Sequence, residues 1–325
     1  MNHRERLRAA LRGEAADHPP VALWRHFPEA DQGAESFAAA HLEFQERFGF
    51  DFIKVTPASA YHADDWGYRA SYAPNPEGVR TPIEIPVKEP GDWRRLKMLD
   101  VKAGVLGREL RALSLIRKQA GKDLPVIETV FSPLSIARSL AGSSRVVEHL
   151  RNDPRSFQSG LEVIAEVTRR FAAECLRAGA DGIYFATQMA CAGILSREEY
   201  ARFGRPHDLH VLEAAAGAEV VIVHVHGEGT YVDFFKDYPS GAIHWHDRRT
   251  PPSLRDARGI LSRCVAGGID AARFASRKPE EIGAEVREAL AQTGGRGHIV
   301  AAGCVIPVDS PPENIHAAVA AARGA

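Results

Sequence analysis

The chain has 325 residues, 45% of them hydrophobic, so it can bury one large core and is neither disordered nor fibrous. Its 41 basic and 42 acidic residues leave a formal net charge of -1, which gives no electrostatic reason to expect nucleic acid or an anionic membrane as a partner. These values favour a small-molecule substrate.

The N-terminus is amphipathic from the start, and no apolar run is long enough to span a bilayer, so we expect a cytoplasmic protein. Four cysteines are scattered without a CxxC pair, which in the cytoplasm indicates reduced thiols rather than a disulfide framework. A metal site in this chain would therefore need histidine or carboxylate ligands.

The most informative pattern is a helical stretch, then a glycine, then a short run of β-branched and aromatic residues. It occurs around Gly49, Gly179 and Gly217. A glycine in the left-handed conformation ends a helix and a buried parallel strand follows, so the pattern predicts helix-to-strand junctions. Strands are predicted at 20–24, 50–55, 126–131, 182–185, 220–223, 242–246, 268–274 and 298–303, and helices at 106–120 and 317–323 among others.

Eight strands alternating with helices predict an α/β fold, a single (β/α)8 TIM barrel over residues 1–325. A doubly wound open sheet is the structural alternative, disfavoured because no glycine-rich phosphate loop follows a predicted strand. The interval 57–124, between the second and third strands, is too long for a simple connection. We interpret it as a lid-like insertion, although a surface excursion without function fits the sequence equally well.

Two histidines lie at the end of the strand that begins at Val220. His224 and His226 are two positions apart, so both side chains point to one side of the strand, and barrel active sites lie at this end of the strands. The pair is typical of Zn²⁺ ligands; the alternative is two core histidines with satisfied hydrogen bonds. Cys304, just after the last strand, would complete a set of two nitrogens and one sulphur with one open position.

Three further residues are candidates for catalysis. His246 and Asp247 end the next strand, where the carboxylate could orient an imidazole or act as a general base, although the stretch also fits a charged turn. Glu128 lies within a predicted buried strand. A carboxylate there needs a metal or a basic partner, so Glu128 is a candidate fourth ligand or acid-base group.

The substrate-binding candidates are polar residues near other strand ends and in the insertion: Arg25, Lys54, Gln188 and Tyr61. Arg25 and Lys54 could bind substrate carboxylates. For Lys54, a salt bridge with an acid inside the barrel is the preferred interpretation. Tyr61 would contribute to an aromatic wall of the pocket or pack the lid.

Several short segments, spread over nearly the whole chain, occur in a recognisable order. They are Phe131-Ser132-Pro133-Leu134, Leu140-Ala141-Gly142, Ala178-Gly179-Ala180-Asp181, Gly193-Ile194-Leu195-Ser196 and Gly303-Cys304-Val305-Ile306-Pro307. In their order and spacing the chain resembles the superfamily that holds uroporphyrinogen decarboxylase and the cobalamin:coenzyme M methyltransferases. The resemblance implies a TIM-barrel enzyme.

The methyltransferase branch of that superfamily holds zinc with a His-x-Cys pair after one strand and a cysteine near the C-terminus. By resemblance, His224 and Cys304 match two of these ligands, and His226 stands where the first cysteine would be. The resemblance therefore implies a zinc-dependent methyltransferase that activates a thiol or a similar nucleophile. It further implies a corrinoid methyl donor, a corrinoid protein as partner, and a monomer or homodimer.

Two other functions remain open at this point. A metal-independent decarboxylase of uroporphyrinogen or another carboxylate-bearing substrate would use Arg25 as the anchor and Asp64, Asp65 or Asp247 as the acid. A non-catalytic binder of a tetrapyrrole or a corrinoid would retain only the pocket.

Overall fold

The computed structural model describes residues 1–324. Its strands are β1 Ile53–Val55, β2 Arg69–Ser71, β3 Thr81–Glu84, β4 Val126–Phe131, β5 Gly182–Thr187, β6 Val220–Val225, β7 Ala242–Trp245, β8 Cys264–Ile269 and β9 His298–Ala302. Its α-helices are α1 His3–Leu11, α2 Ala34–Phe48, α3 Gly104–Ala120, α4 Pro133–Ala141, α5 Ser143–Asn152, α6 Pro154–Arg177, α7 Arg197–Phe203, α8 Arg205–Glu213, α9 Leu254–Leu261, α10 Pro279–Thr293 and α11 Pro312–Ala322.

Seven of these strands form one curled parallel sheet in the order β1-β4-β5-β6-β7-β8-β9. Every residue of the seven strands is buried, as expected where helices cover one face of a parallel sheet and side chains fill the other. Because all seven strands run the same way, their C-terminal ends meet at one edge. The predicted α/β fold with a parallel sheet is confirmed.

The predicted first strand, residues 20–24, is extended but pairs with its neighbours at few points. Val21 bridges Val300 of β9 in parallel, and the amide of Ala22 donates to the carbonyl oxygen of Val300 at 3.1 Å. On its other side, the amide of Asp51 donates to the carbonyl oxygen of Val21 at 2.9 Å, and the Asp51 carboxylate accepts from the Val21 amide at 2.8 Å. The segment thus reaches both edges of the sheet, an arrangement consistent with a TIM-like barrel.

Glycines end two of the helices as the sequence predicts. Gly49 has φ +66° after α2, and Gly179 has φ +103° after α6, both in the region that glycine tolerates best. The prediction was wrong at Gly217, whose φ is not positive. Helix α8 has already ended at Glu213, and a series of turns leads to β6.

One predicted strand is misplaced along the chain. The sequence predicted a strand at 268–274, whereas β8 spans Cys264–Ile269 and a 3₁₀ helix follows at Ala271–Ser276. Gly267 and Gly268 both lie inside β8, at φ +149° and +115°. A Cβ at Gly267 would lie 2.4 Å from the carboxylate of Asp247, so the glycine makes room for that side chain.

The interval 57–124 contains two structurally different parts. Its first part holds a 3₁₀ helix at Tyr61–Trp66, the antiparallel β2–β3 hairpin and a second 3₁₀ helix at Pro90–Arg95. Its last part is α3, which buries Leu106, Leu113 and Ile116 as it packs against α2, α6 and β4. Helix α3 therefore belongs to the layer around the sheet.

Over residues 1–324, none of the helices combines the length and the apolar composition that crossing a bilayer requires.

Candidate metal centre

The C-terminal ends of the parallel strands surround a cavity of about 750 Å³. Its inner wall carries side chains from β1, β4, β5 and β6 and from the residues that follow β7 and β9. The first part of the insertion supplies another portion of the wall, with Tyr68, Pro76, Val79, Pro82 and Ile85. A cavity of this size at this end of a parallel barrel is where the fold places its active sites.

Four side chains that can bind a metal meet in this cavity: His224, His226, His246 and Cys304. One ligand atom from each lies within 4.8 Å of the others. His224 is on β6, and the other three lie one or two residues beyond the ends of β6, β7 and β9. They meet because parallel strands end at the same edge, and because His224 and His226 share one face of their strand. Three imidazoles and one thiol are a donor set typical of zinc.

His224 is the member of this cluster whose ring nitrogens lack hydrogen-bond partners among residues 1–324. Its side chain is buried, yet neither Nδ1 nor Nε2 has a hydrogen-bond partner within the described part of the chain. Burial and the neighbouring imidazoles lower the pKa of His224 well below its usual value, so the ring is neutral and has a free lone pair. A buried polar ring without a partner is rare, and a metal ion would satisfy it. The residues therefore fit a metal ion.

The other members of the cluster are close together and uncharged. His246 Nε2 lies 3.2 Å from His226 Nδ1, and Cys304 Sγ lies 3.7 Å from the same nitrogen. Burial lowers the pKa of His226 to about 3, lowers that of His246 and raises that of the Cys304 thiol. Neutral imidazoles are the form that binds metals. The sequence assigned His246 to catalysis, and the structure brings it into contact with the expected ligands.

His244 differs from its neighbours because the protein satisfies both of its nitrogens. The Tyr184 hydroxyl donates to Nδ1 at 2.6 Å, so Nε2 carries the proton and donates to the carbonyl oxygen of Ala302 at 2.8 Å. The ring stacks on His224 with 4.6 Å between centroids. His244 is therefore a core histidine that supports His224.

Lys54 lies in the same cavity without an acidic partner. Its Nζ donates to the Thr56 hydroxyl at 3.4 Å and lies 4.6 Å from the centre of the Tyr184 ring. Within residues 1–324, no carboxylate forms an ion pair with it, so the interpretation as half of a salt bridge was wrong. Burial lowers the pKa of Lys54 to about 7. The side chain therefore lines the cavity without an acidic partner, and its binding role stays a prediction.

Gln188 also lines the cavity, in contact with an arginine that the sequence analysis did not select. Its Oε1 accepts from Arg138 Nη1 at 3.0 Å, and its backbone amide donates to the Ser135 hydroxyl at 2.9 Å. Arg138 lies on α4, directly after β4. The position of α4 after the end of a predicted strand was the signal that could have identified it.

Two substrate-binding candidates lie outside this cavity. Arg25 donates to the backbone carbonyl of Val308, and its guanidinium lies over the rings of Phe27 and Phe44, at 5.1 and 5.3 Å. The Tyr61 hydroxyl donates to the carbonyl oxygen of Thr129 at 2.7 Å, and its ring packs in the layer outside the sheet. Neither side chain is among the residues that line the cavity.

Two acidic candidates, Glu128 and Asp247, are likewise absent from the cavity wall. Alternate residues of β4 face opposite sides: Thr129 and Phe131 line the cavity, whereas Glu128 faces the helices. There, burial and the neighbouring Glu109 raise the pKa of Glu128, and Glu128 in turn helps to raise the pKa of the buried Cys175 thiol. Asp247 turns toward β8 and accepts from the Gly268 amide at 3.0 Å. The structure thus gives Asp247 a contact between strands, and Glu128 a buried position behind the sheet.

The family model for uroporphyrinogen decarboxylase (URO-D) matches residues 2–325. The chain belongs to the uroporphyrinogen decarboxylase family. This membership confirms the resemblance noted in the sequence, and the prediction of an enzyme of this family is confirmed with it.

Relatives within this family carry two different activities in their names. The chain is 23% identical to methylcobamide:CoM methyltransferase MtbA of Methanosarcina mazei, over 98% of this chain and 97% of that protein. It is 30% identical to uroporphyrinogen decarboxylase of Rhodococcus jostii, over 66% of this chain and 62% of that protein. The family member described here is thus similar to both kinds of enzyme.

Solved structures support the fold. A methyltransferase from Methanosarcina mazei superposes with a TM-score of 0.88 at 20% identity, covering 99% of this chain and 98% of that one. A B12-independent methionine synthase from Shewanella sp. W3-18-1 gives a TM-score of 0.60 at 15% identity, covering 94% of this chain and 92% of that one.

Proposed function

We propose that this family member is a zinc-dependent methyltransferase that transfers a methyl group from a corrinoid to a small thiol or similar nucleophile. The observation that carries the proposal is the cluster of His224, His226, His246 and Cys304 in the large cavity, with both nitrogens of buried His224 unpaired among residues 1–324. Similarity to the methylcobamide:CoM methyltransferase over nearly the full length of both chains supports the corrinoid as methyl donor.

In this proposal, His224, His226 and Cys304 hold the zinc ion. Zinc supplies a positive charge that lowers the pKa of a bound thiol, so that the sulphur is present as a thiolate near neutral pH. His246 lies beside the ligands, and its Nε2 would accept the proton that the thiol loses. Trp24 and Tyr184 are buried aromatic residues in the cavity wall and would exclude water from the reacting sulphur.

The methyl transfer itself forms a carbon–sulphur bond and breaks the carbon–cobalt bond of the donor, whose electron pair stays on cobalt. The donor therefore has to present its methyl group at the open side of the cavity. A corrinoid protein is the proposed partner, and the small-molecule acceptor enters the cavity ahead of it.

We also propose that the molecule is a closed eight-stranded barrel in which residues 20–24 serve as the first strand and part of the 57–124 interval acts as a lid. The hydrogen bonds from residues 20–24 to both sheet edges support the closure. Nine residues of the interval, all between Pro57 and Ile85, line the cavity, which supports a covering role for the segment before α3.

The decarboxylase alternative relied on Arg25 as the anchor for a carboxylate. That guanidinium is half-buried against Phe27 and Phe44 and bonded to a backbone carbonyl, away from the cavity. The methyltransferase is therefore the function that the site supports best.

Elemental analysis of the purified protein tests this proposal directly. We expect about one zinc ion per chain in the wild type and little in Cys304→Ser, whereas Cys264→Ser, at a buried cysteine outside the cavity, should keep its zinc. The loaded protein should then transfer the methyl group of methylcobalamin to 2-mercaptoethanol. Absence of metal from all three proteins would contradict the proposal and make metal-independent decarboxylation the function to test.

A further inference from the structure

Lys54 is the one buried lysine in the part of the chain that the structure describes. Its side chain is 6% exposed, whereas the other seven lysines are all exposed: Lys88, Lys97, Lys102, Lys118, Lys122, Lys236 and Lys278. Lys54 lies on β1, and Thr56 follows two positions later, so both side chains face the cavity. The amine is therefore held on a rigid element, at the end of the strands where barrel enzymes carry their catalytic groups.

The contacts of Lys54 leave its nitrogen open toward the cavity. The Thr56 hydroxyl donates to the backbone carbonyl oxygen of Lys54 at 3.2 Å, so it accepts from Nζ, at 3.4 Å, and does not donate to it. The rings of Trp24 and Tyr184 lie beside Nζ, with their centres at 5.6 and 4.6 Å. Among the described residues, no carboxylate forms an ion pair with the amine. When Nζ is unprotonated, its lone pair is therefore free to react.

The surroundings of Lys54 also favour the unprotonated amine. Burial lowers the pKa of Lys54 to about 7, and the charges of Cys304 and Glu128 offset this effect only in part. About half of the amine is therefore neutral at pH 7, whereas a lysine in water is almost entirely charged there. A neutral lysine in a desolvated pocket is a nucleophile, and carbonyl compounds are its usual reaction partners.

The shape and lining of the cavity indicate which carbonyl compounds fit. The cavity has a volume of about 750 Å³, enough for a small molecule, and Trp24, Phe131 and Ala186 give it apolar wall close to the strand ends. Aldehydes and ketones are uncharged and suit such a wall. They react with an amine reversibly and need neither an oxidant nor a second substrate.

We propose that Lys54 is a covalent binding site for a small aldehyde or ketone, which it holds as an imine. The Nζ lone pair forms a bond to the carbonyl carbon, the carbon–oxygen bond breaks, and the oxygen leaves as water with the two protons that the amine loses. An imine that takes up a proton from water is a cation, which the rings of Trp24 and Tyr184 stabilise as they do an ammonium group. The reaction needs neither zinc nor a methyl donor, so it goes beyond the proposed function and is tested separately.

Reductive trapping in the purified wild-type protein tests this site. Propanal is added in limiting amount at pH 7 with sodium cyanoborohydride, which reduces an imine to a stable secondary amine, and peptide mass spectrometry locates the propyl groups. We expect Lys54 to be labelled roughly tenfold or more faster than the exposed Lys118 and Lys236, because about half of its amine is neutral. The label on the α-amino group of Met1 is counted apart from that on the lysines. Labelling of Lys54 no faster than of the exposed lysines would overturn the proposal.

Two variants and one omission sharpen the test. Lys54→Met should lose the fast label, whereas Lys118→Met, at an exposed lysine of α3, should keep it unchanged. Without cyanoborohydride, the wild type should carry no stable label, because an imine hydrolyses. The peptide map of the wild type locates the label by itself, so the test stands even if Lys54→Met does not fold. A fast label that persists in folded Lys54→Met, or a stable label without the reductant, would contradict an imine at Lys54.

Discussion

His226 Nδ1 lies 3.7 Å from the Sγ of Cys304, although 78 positions separate the two residues in the chain. The contact exists because β6 and β9 are parallel strands of one curled sheet and end at the same edge. Through this contact, His226 and Cys304 belong to one cluster of possible metal ligands. The chemistry we propose depends on this contact.

The two stacked histidines of neighbouring strands should respond differently to substitution. His224→Ala removes a proposed ligand, so its zinc content should fall to a small fraction of that of wild type. His244→Ala removes bonds to Tyr184 and Ala302 instead, so that variant should keep zinc and lose about 1–3 kcal/mol of unfolding free energy. Mass spectrometry of the metals and urea denaturation measure the two effects. Loss of zinc from both variants in equal measure would contradict the assignment of separate roles.

Replacing His226 with cysteine should increase the reactivity of the site. A thiolate ligand donates more electron density than an imidazole, so a thiol bound by His226→Cys should be the stronger nucleophile. We expect the rate of methyl transfer from methylcobalamin to 2-mercaptoethanol to rise several-fold at equal zinc content, and to fall in the converse variant Cys304→His. A slower His226→Cys enzyme with full zinc content would show that the imidazole has another role.

Glu128 should make the stability of the protein depend on pH. Burial raises the pKa of Glu128 well above its usual value of 4.5, so the folded state binds the proton more tightly than the unfolded state does. Stability from this group is complete below pH 4.5 and is lost as the pH rises through the folded-state pKa.

The free energy of unfolding of wild type should therefore fall relative to that of Glu128→Gln between pH 5 and pH 9. Urea titrations across this range measure the difference, and Glu280→Gln, at an exposed glutamate, provides the control. A difference between wild type and Glu128→Gln that stays constant with pH would contradict the prediction.

Asp247 should act in stability rather than in catalysis. Its carboxylate accepts from the Gly268 amide, and asparagine can accept the same bond, so Asp247→Asn should keep both zinc and methyl transfer near wild-type levels. Asp247→Ala leaves a buried amide without an acceptor and should lose about 1–3 kcal/mol of unfolding free energy. A tenfold loss of activity in a stable Asp247→Asn variant would contradict this prediction and indicate a catalytic role for Asp247.

The sequence predicted the parts of this site that follow from strand periodicity. His224 and His226 are two positions apart on a strand, and they share a face. Strand periodicity could not predict which side of the sheet the Glu128 side chain faces. All six residues of β4 are buried, so the pattern does not distinguish the residues that face the cavity from those that face the helices. The predicted strand began at Gly268, four residues after the start of β8 at Cys264, and the two glycines inside β8 accommodate Asp247 and Ala289.

Other features of the site depend on how segments that are distant in the sequence pack together. The position of His246 beside the proposed ligands follows from the curl of the sheet, which no local pattern encodes. Arg138 was missed because a helix arginine usually faces solvent, and only the end of β4 turns this one into the cavity. Arg25 was placed in the site because its strand end was correctly located, but its side chain packs on Phe27 and Phe44.

X-ray absorption spectroscopy at the zinc edge of the purified protein tests the central claim most directly. We predict one sulphur at about 2.3 Å together with nitrogen ligands at about 2.0–2.1 Å, and a second sulphur when 2-mercaptoethanol is added. Absence of zinc, or a zinc ion surrounded only by nitrogen and oxygen in the wild type, would contradict the assignment of Cys304 and the histidines to one metal centre.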